Sequence, residues 1–264
     1  MIKEYKNGNE LVEENRAFLE LDMTKSGFFF LDAPLLINLD ERNYVFKVEN
    51  NGKKLLVLSV EPFNILFYGD KECAKEAAEY INEKGYVLRN YLAEEELGNA
   101  FADVLKKFGF EYSEELAMDF MEADSISEPS SAEVTAPTDS DFEELFELKG
   151  YFFKDCGLLD ENNAERLKKQ IKDFRIIRRD GKIASMARMT QVTDRDAKIA
   201  DVYTRDEYRG KHIARLVVNT LKNEIIESGR IATLNVDQKN PISNHLYGSL
   251  GFKKVFSQGE YRQK

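Results

Sequence analysis

Asp201-Val-Tyr-Thr-Arg-Asp-Glu-Tyr-Arg-Gly-Lys-His-Ile-Ala214 is the stretch on which the reading of this chain turns. Lys198–Thr204 reads as a strand. It passes through Arg209-Gly210-Lys211 into a long helix, Ile213–Ser228, with Ile213, Leu216, Val217, Leu221 and Ile225 facing inward and Gly229 closing it. The first turn of a helix carries unpaired N–H groups and the positive end of its dipole. Gly210 lets the backbone approach a ligand and Arg209 and Lys211 add charge, so the loop has the make-up of a phosphate cradle. The plainer alternative is a solvated basic turn that caps the helix. A Walker P-loop is excluded because Gly-x4-Gly-Lys-Ser/Thr is absent, and a dinucleotide fingerprint because the glycines are too few.

Working outward, the signals alternate. Before the cradle come two short amphipathic helices, Asp141–Lys149 and Asn163–Lys172, and a hairpin. Its strands are Phe174–Arg179 and Lys182–Thr190, with Asp180-Gly181 as the turn. After the long helix come a strand at Ile231–Val236, a helix at Pro241–Leu250 with proline in its first turn, and a strand at Lys253–Phe256. The order ααβββαβαβ, preceded by a strand at Ala132–Thr135, predicts an α/β fold on a mixed sheet. Upstream, Glu122–Asp141 is rich in Ser, Thr, Pro and acid and reads as a linker, so the expected domains are 1–124 and 125–264.

A second stretch is Leu234-Asn-Val-Asp-Gln-Lys-Asn240-Pro-Ile-Ser243-Asn-His-Leu-Tyr247-Gly-Ser-Leu-Gly251-Phe252. Together the two stretches resemble the GNAT superfamily of acyl-CoA-dependent N-acetyltransferases over about 132–262. The first is similar to that family's pyrophosphate motif, with Arg209 and Ala214 at its ends, and the second to its strand–Asn–helix–Leu-Tyr–Gly-Phe signature. One departure is that His212 stands where the motif has its central glycine.

The resemblance implies acetyl-CoA as co-substrate and an amine as acceptor. It implies that Val202, Tyr203 and Thr204 pair with the pantetheine arm through their backbone. It implies that Arg209, Gly210, Lys211, His212, Ile213 and Ala214 hold the pyrophosphate, and that Asn240 touches the pantetheine or nearby backbone. Tyr247 would protonate the departing thiolate, a role open to a phenol that is protonated at neutral pH. No residue is singled out as the base for the amine: Asp201, Asp196 and a water chain all remain open. An acyl-CoA-binding regulatory or scaffold protein that has lost its chemistry is the competing expectation.

The first half repeats much of the pattern. Helices expected at about 9–22 and 26–38 precede strands at Tyr44–Glu49, Lys54–Val60 and Asn64–Tyr68, with Asn50-Asn51-Gly52 as the first turn. A helix at Lys71–Lys84, a strand at Val87–Tyr91 and a helix at Glu94–Lys107 follow. Leu105-Lys106-Lys107-Phe108-Gly109-Phe110 stands where Tyr247-Gly248-Ser249-Leu250-Gly251-Phe252 stands in the second half. The expectation is two tandem GNAT-like domains, the first degenerate. Its loop, Gly69-Asp70-Lys71-Glu72-Cys73, offers acids where a cradle needs cations, and Leu105 takes the place of Tyr247. Phe28-Phe29-Phe30-Leu31 reads as a core helix rather than an acceptor cleft.

Charge divides unevenly: residues 1–137 hold 14 basic and 28 acidic residues (−14), and 138–264 hold 24 and 20 (+4). An acidic first half argues against nucleic acid as a partner and favours a cationic acceptor, a small-molecule amine or a basic peptide end. No apolar run reaches the roughly 18–20 residues of a membrane span. The start does not resemble a signal peptide, and a cytoplasmic location is expected. Cys73, Cys156 and two histidines do not compose a metal site; Cys156 reads as an ordinary loop cysteine and His245 as outward-facing. A homo-oligomer is compatible with all of this.

Overall fold

Asn51-Gly52 and Asp180-Gly181 take the left-handed backbone that two-residue hairpin turns demand, with φ of +49° and +78° in the first and +52° and +78° in the second. These turns fix the register of two antiparallel meanders, one in each half of the chain. The computed structural model describes residues 1–156 and 163–264, and these divide into two units.

The first unit comprises Met1–Asp119, Asp237–Lys239 and Phe256–Lys264. Its elements are β1 (Ile2–Glu4), α1 (Gly8–Glu14), α2 (Arg16–Leu19), α3 (Met23–Asp32), β2 (Tyr44–Asn50), β3 (Lys53–Ser59) and β4 (Ile65–Gly69), then α4 (Ala74–Lys84), β5 (Tyr91–Glu94), α5 (Glu95–Leu105) and β6 (Tyr112–Ala123). β1 to β4 pair antiparallel in sequence order, with Asn50 opposite Lys53, and β4 pairs parallel with β5. Strand residues are buried on both faces. Phe46, Val48 and Val57 pack with Ala77, Ile81 and Phe101 of α4 and α5, while Val45, Leu56 and Leu58 pack with Leu11, Leu19 and Phe29 of α1 to α3. Of the stretch read as a core helix, Phe29 is buried and Phe28 and Phe30 pack against the same cluster, but Leu31 is exposed.

The second unit comprises Phe120–Val236 and Asn240–Val255. It contains β7 (Val134–Thr135), α6 (Phe142–Asp155), α7 (Ala164–Gln170), β8 (Phe174–Arg179), β9 (Lys182–Thr190) and β10 (Asp196–Thr204). α8 (Ile213–Glu227), β11 (Ile231–Asp237), α9 (Pro241–Ser249) and the start of β12 (Lys253–Gln263) follow. β7 to β10 pair antiparallel, and β10 pairs parallel with β11. One face packs Ala184, Ala197 and Leu234 on α8 and α9; the other packs Phe174, Ile176 and Met186 on α6 and α7. Both units are therefore helix–sheet–helix sandwiches on a mixed sheet, with the same succession of pairings.

Several boundaries differ from the sequence reading. The helix expected at 9–22 is two short helices and a 3-10 turn, and the strand expected at Val87–Tyr91 lies at Tyr91–Glu94. β1 and β6 were not anticipated, and β12 runs seven residues past Phe256. The sequence reading gives 125–264 to one domain, but residues 256–264 group with the first unit. There Gln258–Tyr261 pair antiparallel with Tyr91–Glu94.

Candidate active site

β10 is irregular where the sequence places the cofactor arm. Its pairing with β9 shifts register between Ala200 and Tyr203, and Asp201 inside the shift has φ +51°. This is a β-bulge: the extra residue bends the strand and re-aims the side chains after it. Ala197 and Ile199 face the α8 side, whereas Tyr203 packs with the α6 cluster. Pairing with β11 covers only Asp196–Lys198 against Ile231–Thr233. Beyond Lys198 the two strands part, which leaves the β11-facing backbone of Val202, Tyr203 and Thr204 without a strand partner among the described residues. On the other side Tyr203 and Thr204 stay paired with Met186 and Ser185, and Ser185 Oγ donates to Tyr203 O at 2.9 Å.

The cradle follows at once. Gly210 has φ +74°, and a Cβ there would meet no atom within 4 Å, so the glycine is required by backbone conformation and leaves open space beside it. His212 is the N-cap of α8, with φ +58° and ψ 16°, and its side chain makes no capping hydrogen bond. Its own imidazole is exposed. The first N–H groups of α8, from Ile213 and Ala214, thus receive no cap from the His212 side chain. The two cations fold back: Arg209 Nε donates to Thr204 O at 3.0 Å and Nη2 reaches Asp155 and Asp206, each at 3.0 Å. Lys211 Nζ donates to Glu207 O at 2.9 Å.

Asn240 caps α9: its Oδ1 accepts from Ser243 N at 3.0 Å. The structure thereby gives it the task of starting the helix that carries Tyr247. Tyr247 is buried, edge-on to Phe252 at 6.1 Å between centroids, and shares an apolar cluster with Ile213, the first residue of α8. Burial pushes its hydroxyl up to about 12, while a hydrogen bond with Ser243 works the other way. His245, two residues earlier, is exposed, and Cys156 is an exposed cysteine at the end of α6.

The two acids considered as bases separate. Asp196 begins β10, eight residues of strand from Thr204 and on the order of 25 Å away by strand rise; it is held by Thr193 Oγ1 at 2.9 Å. Asp201 sits in the bulge between two buried cations, with Arg188 Nε at 2.6 Å and Lys149 Nζ at 3.6 Å. Such a carboxylate is committed to its partners. Sequence reasoning missed Lys149, Arg188 and Lys198. A weak signal was present for Arg188, the one charge in β9 after its first residue, Lys182, whereas Lys198 shares β10 with Asp196 and Asp201. Burial lowers Lys149 and takes Lys198 down to about 8, with Asp201 opposing in both cases. Among the described residues no cluster of His, Cys, Asp and Glu is arranged to hold a metal ion.

A parallel strand pair that splays at a bulge and feeds a glycine loop at a helix N-terminus agrees with the comparison to known families. Residues 139–252 match the model of the Acetyltransferase (GNAT) family. This segment is a GNAT domain. Solved structures share the fold across the chain. An acetyltransferase of the GNAT family from Colwellia psychrerythraea superposes with a TM-score of 0.63 at 12% identity, covering 99% of this chain and 100% of that one. A GCN5-related N-acetyltransferase from Sphaerobacter thermophilus gives 0.59 at 14%, covering 89% and 85%. One from Kribbella flavida gives 0.51 at 17%, covering 82% and 88%. At these identities the likeness is one of fold. No curated protein matches the sequence.

The first unit has the strand succession of the GNAT domain, including the parallel β4–β5 pair, so the chain carries two GNAT-like units in tandem. In its equivalent loop the Asp70 carboxylate is tied to β3, accepting from Lys54 N at 2.8 Å and from Lys53 Nζ at 3.0 Å. Leu105, in the register of Tyr247, is fully buried.

Proposed function

We propose that the GNAT domain moves an acetyl group from acetyl-CoA to a primary amine by direct attack, with Tyr247 giving its proton to the departing CoA thiolate. The observation that carries this reading is the parting of β10 from β11 beyond Lys198, next to an uncapped helix start behind Gly210. Acetyl-CoA, when bound, supplies the activated thioester. The residues fit it: the backbone of Val202–Thr204 has its β11 side open to an amide-bearing arm, and an uncapped helix start behind Gly210 suits an anion. Arg209 and Lys211 reach the pyrophosphate by exchanging their present partners. Tyr247 holds its proton throughout the neutral range, and burial disfavours a thiolate for the same reason that it disfavours a phenolate. With Asp201 paired and Asp196 remote, the amine's proton passes to solvent.

The acceptor is a small-molecule or peptide amine, and the protein acts in the cytoplasm without nucleic acid. Among the described residues no helix is long and apolar enough to cross a membrane. A second reading, acyl-CoA binding without transfer, is favoured by His212 in a left-handed glycine position and by the acids that occupy Arg209. Thermal shift with millimolar acetyl-CoA, run beside free-CoA release over an amine panel, separates the two. A shift with release supports transfer, a shift without release supports binding alone, and no shift ends both.

A further inference from the structure

The face of the GNAT domain that carries α6 and α7 concentrates positive charge at the point where β10 leaves β11. Arg188 on β9 stands opposite Ala200, and Lys198 stands opposite Thr190. Arg188 and Lys198 are therefore diagonal neighbours on one face, about 7 Å apart at Cβ. Lys149 enters the same place from α6 and meets Asp201. Asp201 is the carboxylate of this group; the next acids along the strands, Asp196 and Glu122, both lie beside Arg195, at 3.8 and 3.5 Å. Among the described residues, three cations against one acid leave a local surplus of two positive charges.

The surplus has free donors. Arg188 spends Nε on Asp201, and its terminal nitrogens make no hydrogen bond among the described residues. With the Asn235 amide oriented to donate to Leu234 O at 3.2 Å, its oxygen accepts from Lys198 Nζ at 3.0 Å, and the ring of Phe120 lies 5.8 Å from the same nitrogen. No carboxylate pairs with Lys198 among the described residues. An open cavity of about 310 Å³ reaches the group at Arg188; its other charged lining residues are Lys172, Asp173 and Arg175, so cations outnumber acids there as well. Buried cations without matching acids are costly unless something anionic completes them.

We propose that Arg188 and Lys198, with Lys149 balancing Asp201, form an anion pocket that takes the carboxylate of the acceptor, so that the acceptor is an amino acid rather than a purely cationic amine. Arg188 offers a planar pair of donors that matches a carboxylate, and Lys198 a point charge beside it. The pocket lies on β10 just before the bulge, which would set an α-amine toward the splayed strands. This rests on the acetyltransferase reading of the site and names the substrate class for it. The acidic first half remains compatible, since a zwitterion still carries an ammonium.

The test uses the full chain and matched pairs that differ only in the carboxylate: leucine and isoamylamine, phenylalanine and phenethylamine, lysine and cadaverine. Free-CoA release gives kcat and KM, and calorimetry on CoA-saturated protein gives binding whether or not transfer occurs. The expected result is at least one pair in which the amino acid is preferred by about tenfold or more, the size of a charge-assisted contact. Lys198→Met is expected to remove that preference through KM, leaving kcat and the decarboxylated partner unchanged. Arg188→Lys, which keeps an ion pair to Asp201, is expected to weaken it in part. The proposal is overturned if the amines match or exceed the amino acids throughout, or if Lys198→Met depresses both members equally. If nothing is acetylated, the transfer reading fails, and calorimetry decides the pocket: selective binding of the amino acid, lost in Lys198→Met, upholds it, and no selectivity overturns it.

Discussion

Residue 212 offers the sharpest test of the cradle. It is held at φ +58° with no side-chain cap, directly before the first N–H groups of α8, which the proposed cradle would use. A left-handed backbone costs an L-residue roughly 1–2 kcal/mol. Histidine is among the residues that tolerate it best, whereas a β-branched side chain there is an outlier. His212→Val is therefore expected to lose about 1–2 kcal/mol, which for a chain of this size lowers Tm by roughly 2–8 °C. His212→Gly removes the strain but brings back about 0.5–1 kcal/mol of unfolded-chain freedom, so it stays close to the parent. Acetyl-CoA at 100 times its dissociation constant adds about 2.7 kcal/mol to whatever binds it. The glycine variant, with no imidazole to displace, is expected to bind at least as tightly as the parent. The assay is differential scanning fluorimetry of the three proteins with and without acetyl-CoA. A valine variant as stable as the parent would refute the reasoning, because residue 212 would then not be left-handed and the helix start would not face the loop.

Tyr247→Phe is expected to cut turnover by about 10²–10⁴-fold with acetyl-CoA affinity nearly unchanged, as read by single-turnover kinetics and calorimetry; full activity would remove the phenol from the mechanism. Asp201→Asn keeps a residue that accepts φ +51° but strands Arg188 and Lys149, and should cost about 3–5 kcal/mol in denaturant unfolding. Lys198 titrates lower in the folded chain (about 8) than unfolded, so the unfolded state binds more protons between about pH 8 and 10.5. Its contribution to stability should accordingly rise with pH across that window, a rise that the difference between the parent and Lys198→Met isolates. Tyr261 stacks on Tyr91 at 4.8 Å, and its hydroxyl donates to Glu95 O at 3.1 Å. Tyr261→Ala should cost about 3–5 kcal/mol and deprotect Tyr91–Leu105 in hydrogen exchange, leaving α8 protected.

What could be read in advance was whatever local chemistry decides. Asp180-Gly181 and Asn51-Gly52 mark their turns because few other pairs accept two left-handed residues in succession. The glycine loop and the start of α8 were legible for a like reason, since Gly210 and the periodic helix after it lie within one short stretch. β6 was not legible: Glu114, Glu115, Asp119 and Glu122 interrupt its alternation, so it merges with the acidic linker. The end of β12, Ser257-Gln258-Gly259-Glu260-Tyr261, is too polar to announce a strand and becomes one by pairing with β5. The charged group at the bulge joins α6, β9 and β10, which lie up to about fifty residues apart, and no spacing rule connects Lys149 to Asp201. Arg188, a charge within the apolar run Ile183–Met189, was the one hint.

The division of the chain has a consequence for how it is made. Residues 256–264 belong with Met1–Asp119, yet they leave the ribosome after everything between. The first unit is the earlier to emerge and the later to be completed, so the usual N-to-C succession of domain folding is not open to it. Until Tyr261 arrives, Tyr91 lacks its stacking partner and β5 has an unpaired edge, a place where a nascent chain is open to wrong pairing. A chain cut in the linker would release a GNAT domain still carrying the first unit's strand. The first unit is thus completed only by residues 256–264, which are made after the GNAT domain.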